Sequence, residues 1–372
     1  MRKFMALALI GLLCAAILSG CTGTDSPSQS NPSENPPDAA NNESSQEPQN
    51  GNENVEPSDN LPPTNPPEDT SENNESEEIP KNETDSNESG DDATNTQITI
   101  SNLTIHMINV GQGDSIFIQM PNGRVMLIDA GGNNKGSTVC NYVRSLGITT
   151  IDAVIATHPH ADHIGGMDNV LYAFDVLSIY DSGLGAMTAT YSDYMDAAKV
   201  EGCPIYVPVQ SSFQSEYHFS VGDSIDIDSN VSIKIIHPDK SDYSNPNDAS
   251  VSIRLVYGNF SFISRGDCES TGESEIVNSG LILSSTVLKV NHHGSKTSTS
   301  QSFVNSINPS AALISSGENN QYKHPHNETL EKLKSIPVYI TEGCSDSGKY
   351  SNVEYNCGSI VITSNGETWN PA

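Results

Sequence analysis

Three histidines and an aspartate occur within six residues, directly after a short apolar run. The run is Ala153–Ala156, and the polar residues after it are His158, His160, Asp162 and His163. Imidazole and carboxylate groups are ligands that zinc, manganese and iron accept in proteins. A turn leaving a buried strand can direct such ligands at two adjacent ions, and Gly165 and Gly166 permit a tight bend after them. A cluster of surface polar residues would not explain why the polarity begins where an apolar strand ends.

The elements that must position these residues alternate between short strands and longer helices. We predict strands at Leu103–Val110, Ser115–Gln119, Val125–Ile128, Ala153–Ala156, Val231–Ile236, Val251–Val256, Phe260–Ile263, Thr286–Val290, Ala311–Ile314, Val338–Ile340 and Ser359–Ile362. We predict helices at Ser137–Leu146, after His163, and at Thr188–Lys199, Glu269–Ser279, Phe303–Ile307 and Glu328–Leu333. Helices distributed among strands indicate an α/β fold, although periodicity alone does not say how the sheets stack.

The pattern of the first cluster, HxHxDH after a strand, resembles the signature of the metallo-β-lactamase superfamily. The resemblance implies a four-layer αββα sandwich, in which two packed sheets carry helices on both outer faces and the metals lie at one sheet edge. It also implies that His158 and His160 bind one metal ion, while Asp162 and His163 bind the second.

Three further segments resemble the other motifs of this family in the expected order: Val125–Gly132, Phe262–Asp267 and Val287–Ser295. The resemblance gives Asp129 a supporting role and makes Asp267 the ligand that bridges the two ions. Taken alone, either aspartate would more often belong to a turn or a helix cap. The last segment places a histidine on the second ion. Both His292 and His293 are candidates, and we favour His293 as the ligand, with His292 facing the substrate.

A narrower resemblance links the chain to the extracellular hydrolase domain of the ComEC competence proteins. It rests on three segments, Val110–Ser115, His292–Ser295 and His324–His326, and it extends from about Leu103 to Ile362. The membrane channel that accompanies this domain in ComEC has no counterpart in the sequence, so we do not expect a role in DNA transport.

Three residues of these segments are expected to support the reaction around the ligands. His324 and His326 are predicted to lie near the metals as phosphate-binding or proton-donating groups, with His326 assigned to catalysis; the alternative is a solvated loop ahead of a helix. Asp114 is expected to brace the site by hydrogen bonds.

The sequence departs from the superfamily pattern at the third motif, which normally supplies another histidine to the first ion. The corresponding segment, Asn245–Ser250, contains no histidine. The first ion would then have His158, His160 and Asp267 from the protein together with water, and Asn247 or Asp248 is a candidate substitute. We therefore expect two divalent ions, Zn or Mn, in a site that tolerates manganese.

The predicted reaction is hydrolysis by a hydroxide that two metal ions activate. Asp162 or a histidine of the pair would assist proton transfer to the leaving group. A phosphodiester is the leading substrate, as in an extracellular nuclease or phosphodiesterase. The alternatives are a carbon-ester, lactone or β-lactam hydrolase of the same fold, and a non-catalytic metal-binding surface module.

Composition divides the chain into three parts. Residues 1–21 have the proportions of a signal peptide and end in a lipobox-like LSGC. A lipid on Cys21 would then anchor the chain to the outer face of the bacterial cell membrane. The alternative is an ordinary membrane anchor with a chance cysteine. Residues 22–97 carry 19 acidic residues against one basic residue, which is typical of a disordered tether, although a partner-binding tail has a similar composition. Residues 98–372 form the hydrolase domain.

The net charge of the hydrolase domain, −14, argues against a broad electrostatic grip on nucleic acid. Nucleic acid is therefore expected only as a substrate, and the sequence indicates no obligate protein partner. Five cysteines follow Cys21. Two of them, Cys344 and Cys357, flank a short polar loop and could pair.

Overall fold

The computed structural model describes residues 102–346 and 348–371. The predicted signal peptide, lipid site and tether lie outside the described residues. The strands are β1 (Leu103–Met107), β2 (Ile116–Gln119), β3 (Val125–Ile128), β4 (Thr150–Ile151), β5 (Ala153–Ala156), β6 (Asp175–Val176), β7 (Ile179–Asp181), β8 (Ile205–Pro208), β9 (Tyr217–Phe219), β10 (Val231–His237), β11 (Ser252–Tyr257), β12 (Phe260–Ser264), β13 (Val287–Lys289), β14 (Ala311–Ile314), β15 (Val338–Ile340), β16 (Val353–Tyr355), β17 (Ile360–Ser364) and β18 (Trp369–Pro371).

The helices lie between these strands. The α-helices are α1 (Gly136–Ser145), α2 (Ala161–Ile164), α3 (Met167–Ala173), α4 (Ala189–Glu201), α5 (Ser270–Asn278), α6 (Gln301–Ile307) and α7 (Asn327–Lys332). Short 3-10 helices are formed by Pro246–Ala249, His292–Gly294 and Cys344–Asp346. Within the part of the chain that the structure describes, none of the helices combines the length and the apolar character needed to cross a bilayer.

The strands form two large sheets and one small one. The first sheet has nine strands in the order β18-β17-β1-β2-β3-β5-β7-β8-β9, and the second has seven in the order β10 to β16. Strands β4 and β6 pair separately. The first sheet is antiparallel from β18 to β3 and parallel from β3 to β9, with Ile128 of β3 opposite Ile155 of β5. The second sheet is parallel from β12 to β16, with Ile263 opposite Leu288.

Three buried apolar clusters hold the layers together. The largest contains side chains of both large sheets, among them Ile105 and Phe262, so the two sheets face one another across it. A second packs helices α1, α3 and α4 onto the first sheet, and a third packs α5, α6 and α7 onto the second. Strands β3 and β5 are covered on both faces, which explains why VMLI and AVIA are apolar throughout. The predicted four-layer αββα architecture is confirmed.

The predicted elements are present with small changes at their ends, and several short strands escaped prediction. Strand β1 ends at Met107, three residues earlier than predicted. The unpredicted strands β7, β8 and β9 extend the parallel half of the first sheet. They are only three or four residues long, and β8 and β9 are partly exposed, so they lack the apolar runs by which longer strands are recognised. A disulfide joins Cys344 to Cys357, the pair that the sequence suggested.

The strands that precede the predicted metal ligands end at one edge of the sandwich. In the first sheet, β3 is followed by Asp129, and its parallel neighbour β5 is followed by His158. In the second sheet, β12 is followed by Asp267, and its parallel neighbour β13 by His293. Because parallel strands in a sheet end on the same side, these residues are brought together although they are far apart in the sequence.

Candidate metal centre

The first pair of predicted ligands consists of His158 and His160. His158 is 1% exposed, and its Nε2 atom lies 3.0 Å from Nδ1 of His160. Two nitrogens at this separation can both lie about 2.0–2.1 Å from one ion, the usual zinc–imidazole distance. On the other side of the His158 ring, Nδ1 lies 3.2 Å from the Thr157 hydroxyl and 3.4 Å from that of Ser250. These contacts leave Nε2 facing His160.

The second set of predicted ligands is formed by Asp162, His163, Asp267 and His293. One ligand atom from each lies within 4.8 Å of those of the other three. Asp267 is central, because its Oδ2 atom lies 3.2 Å from His163 Nε2 and 3.5 Å from His293 Nε2. His293 Nε2 also lies 3.3 Å from Asp162 Oδ2. The structure thus brings together ligands from three different motifs.

Several of these ligand atoms lack a hydrogen-bond partner. Among the described residues, Asp267 Oδ1 is buried without one, and His163 Nε2 and His293 Nε2 face the Asp267 carboxylate at 3.2 and 3.5 Å without the geometry of a hydrogen bond. Buried polar atoms are almost always paired, because leaving one unpaired is costly. A divalent cation between them would satisfy the imidazole nitrogens and the carboxylate oxygen together. The residues present therefore fit a divalent metal ion.

Asp129 holds His163 in the orientation that points Nε2 at the centre. It follows β3 with a left-handed φ of 58° and accepts hydrogen bonds from the backbone N–H of Thr157 (2.9 Å) and from the Thr157 hydroxyl (2.7 Å). Its Oδ2 atom lies 2.7 Å from His163 Nδ1. A carboxylate on the far nitrogen of a ligand imidazole fixes the ring and its tautomer.

A buried lysine supports the other ligand histidine. Asp114 lies with Oδ1 3.3 Å from His293 Nδ1, which is also 3.0 Å from the carbonyl oxygen of Ser315. Lys289 is fully buried, forms an ion pair with Asp114 and donates to the carbonyl oxygen of Gly266 at 3.1 Å. The sequence reasoning missed Lys289, although a lysine in the otherwise apolar run VLKV was a signal, because a buried lysine requires a partner.

His292 and Glu269 form a pair at the exposed side of the centre. His292 Nδ1 lies 3.0 Å from Glu269 Oε1, and its Nε2 lies 3.7 Å from Asp267 Oδ2. The side chain is 22% exposed, whereas His293 is 1% exposed. Glu269 also accepts hydrogen bonds from the amide of Asn247 and the hydroxyl of Thr297, both at 3.0 Å. The amide of Asn245 donates to the other Glu269 oxygen at 3.1 Å. Glu269 was not predicted, because nothing in the local sequence shows that these four side chains converge on it.

The two histidines of the HPH segment have different surroundings. The ring of His324 lies 5.4 Å from that of His292 and 6.2 Å from that of His293, between ring centres, and its Nδ1 is buried without a hydrogen-bond partner among the described residues. His326 packs against His324 at 4.9 Å, and its Nδ1 accepts a hydrogen bond from the backbone N–H of Lys296. The structure therefore places His324 next to His292 and His293, whereas Nδ1 of His326 is occupied by the backbone N–H of Lys296.

Burial and mutual repulsion set the ionisation of these groups. Burial lowers the pKa of His158 well below its usual value, and the charge on His163 lowers it further. Burial opposes ionisation of Asp267, but the charges on His163 and His293 hold its pKa well below the ordinary range. Burial and the neighbouring histidines lower the pKa of His324 to about 3. A neutral His158 and an ionised Asp267 are the forms that bind a metal.

Comparison with known proteins identifies the family. Residues 108–318 match the model of the metallo-beta-lactamase superfamily. The chain is 32% identical over 258 residues to ComE operon protein 3 of Bacillus subtilis, which covers 64% of this chain and 32% of that protein. It is 26% identical over 243 residues to Recombination protein 2 of Haemophilus influenzae, covering 64% and 27%, and 25% identical over 238 residues to Competence protein ComA of Neisseria gonorrhoeae, covering 62% and 30%.

The chain thus spans about a third of the length of these relatives. The family match covers the segments that carry His158, Asp267 and His293, and the relatives are those of the ComEC group. The chain belongs to the metallo-β-lactamase superfamily and is a metallohydrolase.

Proposed function

We propose that this protein hydrolyses phosphodiesters with the help of two divalent ions. The observation that carries the proposal is the arrangement of ligand atoms on either side of Asp267. His158 and His160 offer a facing pair of nitrogens, and His163 and His293 direct their Nε2 atoms at the Asp267 carboxylate. When bound, two ions a few ångströms apart lower the pKa of a water molecule towards neutrality and stabilise charge on the attacked group.

The remaining chemistry belongs to side chains at the open face. The Glu269 carboxylate next to Nδ1 holds His292 so that its Nε2 faces the centre from the exposed side. His292 can there hold or release a proton at Nε2 when the leaving group departs. His324, whose ring lies against His292, is neutral near pH 7 and can accept or donate a hydrogen bond to a substrate oxygen.

The substrate class rests on two further considerations. The relatives are named for competence and recombination, which favours a phosphodiester over a carbon ester. The hydrolase domain has a net charge of −14, which repels long polyanions. We therefore favour short or small phosphodiesters. The mixture of imidazole and carboxylate ligands is compatible with Mn or Zn.

A purified full-length chain, stripped of metal and then loaded with Mn²⁺ or Zn²⁺, would test the proposal. We expect metal-dependent hydrolysis of bis(p-nitrophenyl) phosphate, with slower cleavage of plasmid DNA, and no comparable hydrolysis of p-nitrophenyl acetate or a chromogenic β-lactam. Asp162→Ala should abolish this activity, whereas Asp193→Ala, at an exposed position of α4, should not change it.

Either of two results would reject the phosphodiester proposal. Preferential turnover of the carbon ester or the β-lactam would assign the chain to carbon-ester or β-lactam hydrolysis. Metal binding without turnover of the phosphodiester substrates would reject it as well.

The location that we propose is the outer face of the bacterial cell membrane. It rests on the apolar run before Cys21 and on the lipobox-like LSGC. Expression in a bacterial host should yield a membrane-bound form that incorporates labelled palmitate. The Cys21→Ser variant should incorporate none, and label retained in that variant would contradict lipidation at this cysteine.

A further inference from the structure

The segment in place of the third motif packs directly against the first ligand histidine. The 3-10 helix Pro246–Ala249 is followed by Ser250, whose hydroxyl lies 3.4 Å from His158 Nδ1. The backbone N–H of Val251 donates to the carbonyl oxygen of Thr157 at 2.9 Å. The segment therefore lies beside the first pair of ligands, although it contains no histidine.

One of the two polar candidates in this segment already has a structural role. Asp248 is 4% exposed, and its Oδ1 atom accepts hydrogen bonds from the backbone N–H groups of Glu269 and Gly272, both at 3.0 Å. These are the otherwise unpaired donors at the beginning of α5, and a carboxylate there is a favourable cap. Asp248 thus stabilises the helix that follows the Asp267 ligand.

The other candidate, Asn247, has an oxygen without a partner. Its side chain is 94% buried, and its Nδ2 donates to Glu269 Oε1 at 3.0 Å, which fixes the orientation of the amide. Its Oδ1 atom is buried and has no hydrogen-bond partner among the described residues. Such an atom in a well-packed protein calls for a ligand.

Hydrogen bonds link Asn247 to residues that contact the predicted ligands and His292. On one side, its backbone carbonyl accepts a hydrogen bond from the Ser250 hydroxyl at 2.7 Å, and that hydroxyl accepts from the backbone N–H of Asp267 at 3.2 Å. On the other side, its amide donates to the Glu269 oxygen that is 3.0 Å from His292 Nδ1. Asn247 is therefore linked to the backbone of Asp267 on one side and to the partner of His292 on the other.

We propose that the Oδ1 atom of Asn247 is a ligand of the first metal ion, together with the His158–His160 pair and Asp267. The proposal rests on the metal centre described above and extends it. Glu269 acts as a positioning residue, because its carboxylate holds the amide nitrogen and so directs the oxygen away from itself.

The exchange of an imidazole for an amide oxygen changes the chemistry of the first ion. Its protein ligands become two nitrogens and two oxygens, instead of three nitrogens and one oxygen. Carbonyl and carboxylate oxygens suit manganese and magnesium, whereas imidazole suits zinc. We therefore expect the site of the first ion to prefer zinc less strongly than a site with three histidines does.

Metal binding by the full-length chain tests the proposal without any substrate. The metal-free protein is titrated with Mn²⁺, followed by electron paramagnetic resonance of the free ion, and with Zn²⁺ in competition with a chromogenic chelator. We expect two ions to bind to the unmodified chain. Asn247→Ala should weaken one of the two by at least tenfold and leave the other unchanged. Asn247→His should strengthen Zn²⁺ binding at that site relative to Mn²⁺.

Asn305→Ala, at an exposed position of α6 far from Asn247 in the sequence, is the matched control. It should retain both ions. If Asn247→Ala does not fold, Asn247→Ser decides, because it keeps a small polar side chain but removes the amide oxygen. It should lose the first ion, and unchanged affinity for both ions would overturn the proposal.

Unchanged affinity for both ions in a folded Asn247→Ala variant would also overturn it. The outcome is separable from the phosphodiesterase proposal, because the readout is bound metal. Loss of one ion in Asn247→Ala together with an inactive unmodified chain would support the ligand and reject the activity. Full metal binding in Asn247→Ala with an active unmodified chain would reject the ligand and support the activity.

Discussion

Breaking the buried ion pair between Lys289 and Asp114 by removing one partner should strongly destabilise the metal-free protein. Both side chains are at most 2% exposed, and Lys289 also donates to the carbonyl oxygen of Gly266. Lys289→Met removes the cation, keeps most of the side-chain volume and leaves Asp114 buried. Removing one partner of a buried pair costs about 3–5 kcal/mol. Because Asp114 retains its contact with His293 at 3.3 Å, we expect the lower end, about 3 kcal/mol.

Urea unfolding of the metal-free chain at pH 7, followed by circular dichroism, measures this loss. The double variant Lys289→Met/Asp114→Asn should recover most of the stability, because no uncompensated charge is left. Lys334→Met, at a lysine whose side chain is 73% exposed, should change the free energy of unfolding by less than about 0.5 kcal/mol. A loss below about 1 kcal/mol in Lys289→Met, or no recovery in the double variant, would refute the reasoning.

Three other predictions concern residues around the centre and beyond it. Burial raises the pKa of Asp181 to about 6, so folding favours its protonated form and the free energy of unfolding falls as pH rises from about 4 to 6. Asp181→Asn should remove this slope and add about 3 kcal/mol to the free energy of unfolding at pH 7. An unchanged pH dependence of urea unfolding would contradict this prediction. Gly113 has a φ of 137°, and a Cβ atom there would lie 2.4 Å from the backbone oxygen of Asp162. Gly113→Ala should therefore weaken metal binding at least tenfold in a chelator competition. Normal metal affinity in this variant would show that the loop can shift. Reduction of the Cys344–Cys357 disulfide, which spans 13 residues, should lower the free energy of unfolding by about 3 kcal/mol, and an equal unfolding midpoint with and without reductant would exclude this.

The metal ligands and their supporting strands could be predicted from the sequence because that information is local. His158, His160, Asp162 and His163 occur within six residues after an apolar strand, and Asp267 and His293 each follow another. Strands buried on both faces are continuous apolar runs, so β3, β5 and β12 were recognisable without knowledge of the fold. The αββα architecture came from the family resemblance and not from periodicity.

The tertiary structure decided which side chains serve those ligands. Lys289 meets Asp114, and Glu269 meets His292 and Asn247, because the segments before β2 and β11 converge with the ends of β12 and β13 at one edge of the sandwich. These partners lie on different strands and loops, so no spacing in the sequence relates them. Their ionisation and hydrogen bonding depend on burial, which follows only from how the two sheets pack. Local patterns therefore predict the metal ligands, while long-range packing decides which groups orient them and leaves Asn247 Oδ1 without a hydrogen-bond partner among the described residues.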